Sequence, residues 1–288
     1  MENELLNRLH PVILHIGIAH QHNDWNFKDV CSPFTRIYYT IGGQAQIQYP
    51  NQKIDLRTGY LYIIPAFTRH SYACRGDFFH FYAHVYNEDE DNVLEDWDLP
   101  VEAEALPGDR ERFERLHALY PGRELAEADP KSYDNQPTLM QNIRDNRRQE
   151  LCVQMEARGI ILCLFSRFFK SATYKGITRD ERIEKVLHYI RNHPALTPST
   201  EELAQLTCLS KSHFIRLFRQ EMACTPLQYI NEKKMEKAQS KLITDNTEIK
   251  EIAFQLGFED PSYFNRLFKK ITGTTPKAYR DFHRFIQE

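Results

Sequence analysis

The strongest constraint on this chain is a repeat. The segment LAQLTCLSKSHFIRLFRQEMACTPLQYI, residues 203–230, returns as IAFQLGFEDPSYFNRLFKKITGTTPKAYR at residues 252–280. In register, Ala204 meets Ala253, Ser212 meets Ser262, Phe214 meets Phe264 and Arg216 meets Arg266. Phe218 then meets Phe268, Pro226 meets Pro276, and Tyr229 meets Tyr279. The offset grows from 253 − 204 = 49 to 262 − 212 = 50 inside the turn, so the second copy carries one extra residue there. A unit written twice has to fold the same way twice. Each copy reads as helix, tight turn, helix, the arrangement that sets a second helix into a DNA groove. Two such units on one polypeptide suit two successive turns of duplex.

Local signals agree. Ser199 followed by Glu202 is a capping box, and Ser210 is placed to cap the next helix. Asp260–Pro261 gives an N-cap followed by proline at the first helical position, and Thr225–Pro226 and Thr275–Pro276 repeat the device after each unit. The connecting helix, from Thr225 to about Ile243, has 19 residues. At 1.5 Å per residue it spans about 28 Å, near the roughly 34 Å between successive major grooves on one side of a duplex. Phe214, Leu217, Phe218 and Phe264, Leu267, Phe268 fall at i, i+3, i+4 and are expected to pack inward. The opposite faces present Lys211, Ser212, Ile215, Arg216 and Arg219 in the first copy. The second presents Pro261, Ser262, Asn265, Arg266 and Lys269, with Lys270 close by. Arginine bonds a guanine edge in two places, asparagine does the same to adenine, and Ile215 is suited to a thymine methyl. Lys and Arg at the flanks suit phosphates, which position without specifying sequence. An ordinary bundle with a solvated charged face would explain one such helix, but not the repetition of the whole unit.

Net charge over 288 residues is −3, which alone argues against nucleic acid. The distribution reverses that. From Gly176 to Glu288 there are 18 Lys+Arg and 15 Asp+Glu, so +3, leaving 37 − 18 = 19 basic and 40 − 15 = 25 acidic residues, or −6, in the front part. A mildly basic tail behind an acidic front fits a DNA module joined to something that does not touch DNA. The six cysteines form no C-x-x-C pair and are expected to be reduced thiols. No secretory signal opens the sequence, and the apolar run from Val12 to Ala19 is too short to span a bilayer. A cytoplasmic protein with no membrane partner is therefore expected.

From about Val12 to Tyr86 the pattern is strand, with turn signals at GG 42–43, PNQ 50–52, RTG 57–59 and RGD 75–77. That spacing predicts an antiparallel barrel or sandwich rather than βαβ units. In FFHFYAHVY, His80, Tyr82 and His84 share one face, with Phe79, Phe81, Ala83 and Val85 on the other. If the first face points inward it offers donors and aromatic surface to a small polar ligand, with Arg36 and Tyr38 as neighbours; these side chains could equally be exterior or merely packed. Trp25 reads as a lid or a surface anchor. DRERFERLHALY predicts a short helix, and a longer one is expected from about Thr138 to Ser171. Its stripe Leu151, Met155, Leu162, Phe165, Phe169 is either a dimer seam or a face packed on its own barrel. SATYKGIT, residues 171–178, reads as a linker.

The second copy resembles the signature of the AraC/XylS family of bacterial transcription regulators almost residue for residue, over about the last hundred residues. The resemblance places Ser212, Ile215 and Arg216 in the first unit, and Ser262, Asn265 and Arg266 in the second, at base-facing positions. The first copy departs from it at Cys208, where the second has Gly257, and at Ala223, where the second has Gly273. More weakly, residues 12–90 are similar to a cupin-like effector-binding domain. That likeness brings Tyr72, His80 and Tyr82 near ligand-contacting places. Cupin enzymes hold a metal with H-x-H, a downstream Glu and a later His. Here the H-x-H, His20–Gln21–His22, lacks the following glutamate, and His70 would stand alone. No catalytic residue, metal or cofactor is therefore expected.

The expected fold is α+β with two domains: an N-terminal antiparallel cupin-like β-barrel with a helical dimerisation segment, and an all-α C-terminal domain with two helix-turn-helix motifs. The boundaries are residues 1–100 for the barrel, 101–175 for the helical segment and linker, and 176–288 for the DNA-binding domain, its motifs at about 199–222 and 248–272. The function expected is that of a sequence-specific transcription regulator, an activator by family likeness. It would be controlled by a small effector such as a sugar or small acid, bound by Arg36, Tyr38, Tyr72, His80, Tyr82 and His84. Promoter DNA, RNA polymerase and a second copy, paired through the 150–170 helix, are the expected partners. A ligand-independent DNA binder, or a cupin enzyme with an accessory DNA-binding domain, are the alternatives.

Overall fold

Period-two alternation from residue 11 to residue 87 builds one antiparallel sheet. The computed structural model of the chain describes residues 6, 9–87, 94, 97–134, 136–175, 180–244 and 246–282. They divide after Thr173 into two compact units. That division falls inside the expected linker, of which residues 176–178 lie outside the described residues.

In the first unit, β1 (Pro11–Gln21), β2 (Thr35–Gln48), β3 (Lys53–Asp55), β4 (Tyr60–Ile64) and β5 (Ser71–Asn87) are followed by the short β6 (Trp97–Asp98) and β7 (Glu102–Glu104). The sheet order is β1-β5-β2-β4-β7, with β3 beside β2. The antiparallel expectation holds, but no pairing joins β1 to β7 among the described residues, so the sheet is open rather than a closed barrel. The reason lies at the edge of β1. Its backbone groups are taken by side chains and a loop: Asn142 Nδ2 donates to Leu14 O at 2.8 Å, Asn146 Nδ2 to Ile13 O at 2.5 Å, and Ile16 N to Arg123 O at 3.1 Å. A covered edge needs no further strand.

PNQ and RTG do form turns, whereas GG 42–43 and RGD 75–77 lie inside the long strands β2 and β5. At the glycine pair the ladder slips, between Thr40 and Gly42 and again between Gly43 and Ala45. Gly43 has φ 97°, and a Cβ there would stand 2.0 Å from Asp77 O. These glycines are bulges that let two strands cross closely, not chain reversals.

The predicted short helix is α1 (Asp109–Leu119), followed by the single turn α2 (Pro130–Tyr133). The long helix expected from Thr138 to Ser171 is instead two, α3 (Gln136–Arg148) and α4 (Leu151–Phe169), parted at Glu150, whose ψ is 144°. The break lets each half turn its own face to the sheet: α3 directs Asn142 and Asn146 at the β1 edge. α4 buries Ala157, Ile161, Leu164, Phe165 and Phe168 against Ile37, Leu61, Phe81 and Phe113. Of the expected stripe, Phe165 is core and Leu162 and Phe169 pack beside it, but Leu151 and Met155 are 71% and 66% exposed. The stripe therefore spans two faces rather than one. Asp109, fully buried at the start of α1, fastens it to α4 through Arg167 Nη2 at 2.9 Å and is also bonded by Leu106 N at 2.8 Å.

From Glu181 onward the second unit is built of helices joined by short turns: α5 (Glu181–Asn192), α6 (Thr200–Leu206), α7 (Lys211–Met222), α8 (Pro226–Thr244), α9 (Ile249–Gln255), α10 (Pro261–Thr272) and α11 (Pro276–Phe282). Every predicted cap forms. Ser199 and Glu202 make the reciprocal box, Ser210 accepts from His213 N, Asp260 from Ser262 N, and Thr225 and Thr275 from Gln228 N and Ala278 N. Two small cores result, one on Phe214 and Phe218 and one on Phe264 and Phe268. The 19-residue α8 serves both, giving Tyr229 and Ile230 to the first and Met235, Ala238 and Leu242 to the second.

The two departures from glycine take the conformation that glycine favours. Cys208 has φ 55° and Ala223 has φ 56°, against 77° at Gly257 and 86° at Gly273. A side chain in the left-handed region costs about 1 kcal/mol. Ala223→Gly should therefore raise unfolding stability by about that amount, read as a higher urea midpoint. Gly257→Ala should lower it, because a Cβ there would lie 1.8 Å from Ala195 O.

Candidate functional site

Burial of two phenylalanines per helix decides what α7 and α10 show to solvent. With Phe214 and Phe218 inside, Lys211, Ser212, Arg216 and Arg219 are exposed and Ile215 half-buried. With Phe264 and Phe268 inside, Ser262, Asn265, Arg266 and Lys269 are exposed and Pro261 half-buried. All ten predicted positions thus lie off the core, five on each helix. Lys211 is held by Glu201 of α6, and Arg266 Nη2 stands 3.9 Å from Asp260 Oδ2. Among the described residues Arg216, Arg219 and Lys269 make no ion pair.

Within the second unit, the two helix-turn-helix motifs are tied to one another by a residue that the sequence pattern does not single out. Lys234, in the middle of α8, is buried and donates from Nζ to Thr197 Oγ1 at 2.7 Å, before α6, and to Leu256 O at 2.6 Å, in the turn after α9. Burial lowers its pKa to about 8. The ammonium replaces its lost hydration with these two acceptors and the Phe258 ring, 5.1 Å away. The run KKMEKA hides it, since one buried lysine among exposed ones has no signature in sequence.

In the first unit, Arg36, Tyr38, Tyr72, His80, Tyr82 and His84 are all buried. Five of them lie on one face of the sheet by register: Arg36 pairs with His84, and Tyr38 with Tyr82, across β2 and β5. Phe81, Ala83 and Val85 point the other way into the core with α1 and α4. Gly17 opposes Tyr82, and a Cβ there would meet the phenol oxygen at 2.6 Å, so glycine makes room for that ring. Trp25 is neither a surface anchor nor exposed: it is buried and stacks on Tyr72 at 4.3 Å and Phe78 at 5.6 Å.

A hydrogen-bonded chain runs through this face. His70 Nδ1 bonds Thr68 O at 2.8 Å, His70 Nε2 meets Tyr72 Oη at 2.8 Å, and Tyr72 Oη meets Tyr38 Oη at 2.6 Å. Arg36 Nη2 donates to Ser32 Oγ at 2.8 Å, and Ser32 donates to Asp134. His84 and His15 face each other through Nδ1 at 3.3 Å, and Leu125 N donates to Tyr82 Oη at 2.7 Å. The buried atoms with no partner among the described residues include Arg36 Nε, Thr40 Oγ1 and His80 Nδ1 on this face. Burial opposes the Arg36 charge, yet the phenols of Tyr72, Tyr133 and Tyr38 and the Asp134 carboxylate outweigh it and raise the pKa. Burial drives the histidines the other way, His15, His70 and His80 each to about 3 and His84 well down, the Arg36 charge adding to it at His15, His70 and His84. The result is a fixed cation ringed by neutral imidazoles and phenols. His15, Ser32, His70, Tyr133 and Asp134 were not among the predicted site residues. His15 was visible inside an apolar run, but nothing in the sequence places Asp134 beside Arg36.

Residues 203–281 match the helix-turn-helix domain family. Over 112 residues the chain is 35% identical to the xylose operon regulatory protein of Escherichia coli (strain K12). Over 102 residues it is 33% identical to the arabinose operon regulatory protein of the same organism. These matches cover 39% and 35% of this chain, and 28% and 35% of the relatives' own lengths. The C-terminal domain is of the AraC/XylS type. The structure of ToxT from Vibrio cholerae aligns over 93% of this chain and 97% of its own, with TM-score 0.51 at 12% identity, a likeness of fold alone. Within the AraC/XylS-type domain, the exposed Gln220, His213 and Tyr263 were passed over. Gln220 is the counterpart of Lys270 and shares the Ser212–Arg216 face at about 100° per residue.

The buried histidines set an acid limit. The unfolded chain binds protons on them below about 6.5, while the folded chain resists until about 3. Their contribution to stability is therefore present above 6.5 and lost as pH falls through that window, at up to about 1.4 kcal/mol per pH unit for each ring. The urea midpoint of the first unit's transition should fall steeply between about pH 6.5 and about pH 4.5. A midpoint unchanged over that range would mean that the rings are solvated.

Proposed function

We propose that the chain is a sequence-specific transcription regulator that grips promoter DNA with α7 and α10 and responds to a small polar ligand on the inner face of its N-terminal sheet. The observation that carries the first half is the repeated unit, with equivalent exposed faces on α7 and α10 inside an AraC/XylS-type domain. Ser212, Ile215 and Arg216, with Ser262, Asn265 and Arg266, face bases; Lys211, Arg219 and Lys269 lie at phosphates, and Pro261 opens α10 beside them. α8, about 28 Å long at 1.5 Å per residue, sets the two helices close to one duplex turn apart. Activation, through contact with RNA polymerase, follows from the family likeness.

The second half rests on the cupin-like face. Arg36 Nε and His80 Nδ1 are buried without partners, and a buried donor left unmade is costly. A ligand bearing hydroxyls or a carboxylate would satisfy both, while Tyr38, Tyr72 and Tyr82 supply further hydroxyls. Sugars and small acids have that chemistry, and the two curated relatives are regulators of the xylose and arabinose operons. Exposed Leu151 and Met155 offer an apolar start to a homodimer seam along α4. Ligand binding would shift the population of dimers able to span a given pair of half-sites.

Arg266→Ala should weaken binding to the cognate site by about 1–3 kcal/mol and relax preference at one base pair. Lys269→Ala should instead weaken binding to every sequence and flatten its salt dependence. Equal binding of all sequences by the Arg266 variant and its parent would remove that residue from the reading. For the sensor face, a thermal-shift screen of sugars and small acids should find one compound class that raises the melting temperature, since a ligand of the folded state alone must stabilise it. A flat screen on protein that still binds DNA would favour ligand-independent control.

A further inference from the structure

The H-x-H that failed as an enzyme signature has a third member, supplied by another strand. In the β1–β5 ladder His20 stands opposite Phe79 and Gln21 opposite Phe78, so His22, next along, comes alongside Asp77. Residues two apart share a face. His20, His22 and Asp77 therefore converge on the side of the sheet away from His80, Tyr82 and His84. Asp77 Oδ1 lies 3.0 Å from His20 Nε2 and 2.8 Å from His22 Nδ1, and the three ligand atoms are all within 4.8 Å of one another.

We propose that His20, His22 and Asp77 form a binding site for a divalent transition cation of the zinc class, which staples the end of β1 to β5. A tetrahedral zinc with ligands at about 2.0–2.1 Å sets its donor atoms roughly 3.3 Å apart. Two of the three edges here are thus within about half an ångström of that geometry. Imidazole nitrogens select zinc, copper, nickel or cobalt, whereas magnesium and calcium require oxygen donors. Three protein ligands leave a position open to water.

The ligands are held in place before any ion arrives. The His20 ring stacks on Phe79 at 3.9 Å. His22 O accepts from Trp25 N at 3.0 Å, and Trp25 is itself locked in the interior against Tyr72. Asn23 accepts from Gly76 N, and Asn26 Oδ1 from Cys74 N at 3.2 Å, so the loop after β1 is fastened to β5 just before Asp77. Side-chain exposure of 43%, 60% and 63% leaves all three ligands open to aqueous ions. Because its ligands come from the end of β1 and from β5, an ion held there ties sheet stability to metal supply. This proposal is independent of the DNA and effector readings.

The test uses tag-free full-length protein, stripped with chelator and titrated with zinc chloride by calorimetry and thermal shift. One equivalent of zinc should bind and raise the melting temperature, and magnesium chloride should do neither. His20→Ala, His22→Ala and Asp77→Asn should each weaken zinc binding at least tenfold while leaving the far-ultraviolet circular dichroism of the stripped protein unchanged. Cobalt should bind without a thiolate charge-transfer band. The exposed Cys152, Cys163 and Cys208 are the competing ligands. Undiminished zinc binding by the His20→Ala/His22→Ala double variant, a thiolate band with cobalt, or no zinc binding at all would each overturn the proposal.

Discussion

Four buried phenylalanines govern the C-terminal helical unit of this molecule. Phe214 and Phe218, and again Phe264 and Phe268, sit one helical turn apart and are fully buried. Each pair fixes the rotation of its helix about its own axis, so the outward residues are determined by the inward ones. The caps fix where each helix begins, and the left-handed residues Ala223 and Gly273 fix where it ends. Nothing about Arg216 or Arg266 needs to be specified separately. Their exposure is a consequence of packing on the other side of the helix.

Lys234 then does for the pair of helix-turn-helix motifs what the phenylalanines do for each one. Its ammonium bonds a hydroxyl ahead of the first motif and a carbonyl in the turn of the second motif. Gly257 admits the close approach of that turn to Ala195 O. The tie holds α7 and α10 at one spacing. A polar tie at the centre of α8 resists sliding in a way that a purely apolar contact, which has no preferred direction, does not.

In the first unit the governing constraint is a charge that cannot be discharged. Arginine stays protonated in any protein environment, so burying Arg36 obliges its surroundings to supply acceptors and to remain free of other cations. Ser32, Asp134 and a ring of phenols meet the first demand, and four neutral histidines meet the second. The remaining Nε, like His80 Nδ1, has no hydrogen-bond partner among the described residues. A folded protein that leaves such groups unmatched stores a cost that a ligand can relieve.

Local information settled most of the second unit and the alternation of the first. Capping residues, the i, i+3, i+4 spacing of the phenylalanines and the period of two in FFHFYAHVY act within a few residues of themselves, but residues 80–86 are buried on both faces of β5, so alternation alone did not say which core His80, Tyr82 and His84 would enter. Tertiary structure decided what depended on distant partners. GG and RGD became bulges because β2 and β5 cross there, which neither strand encodes alone. The expected barrel stayed open because Asn142 and Asn146, more than 120 residues away, covered the β1 edge. The long helix broke because its two halves owed different faces to that sheet. For the same reason Leu151 and Met155 went to solvent, Lys234 went inside, and Asp77 came to lie beside two histidines 55 and 57 positions earlier. Periodicity tells a residue which way to face, but only the fold says what it will face.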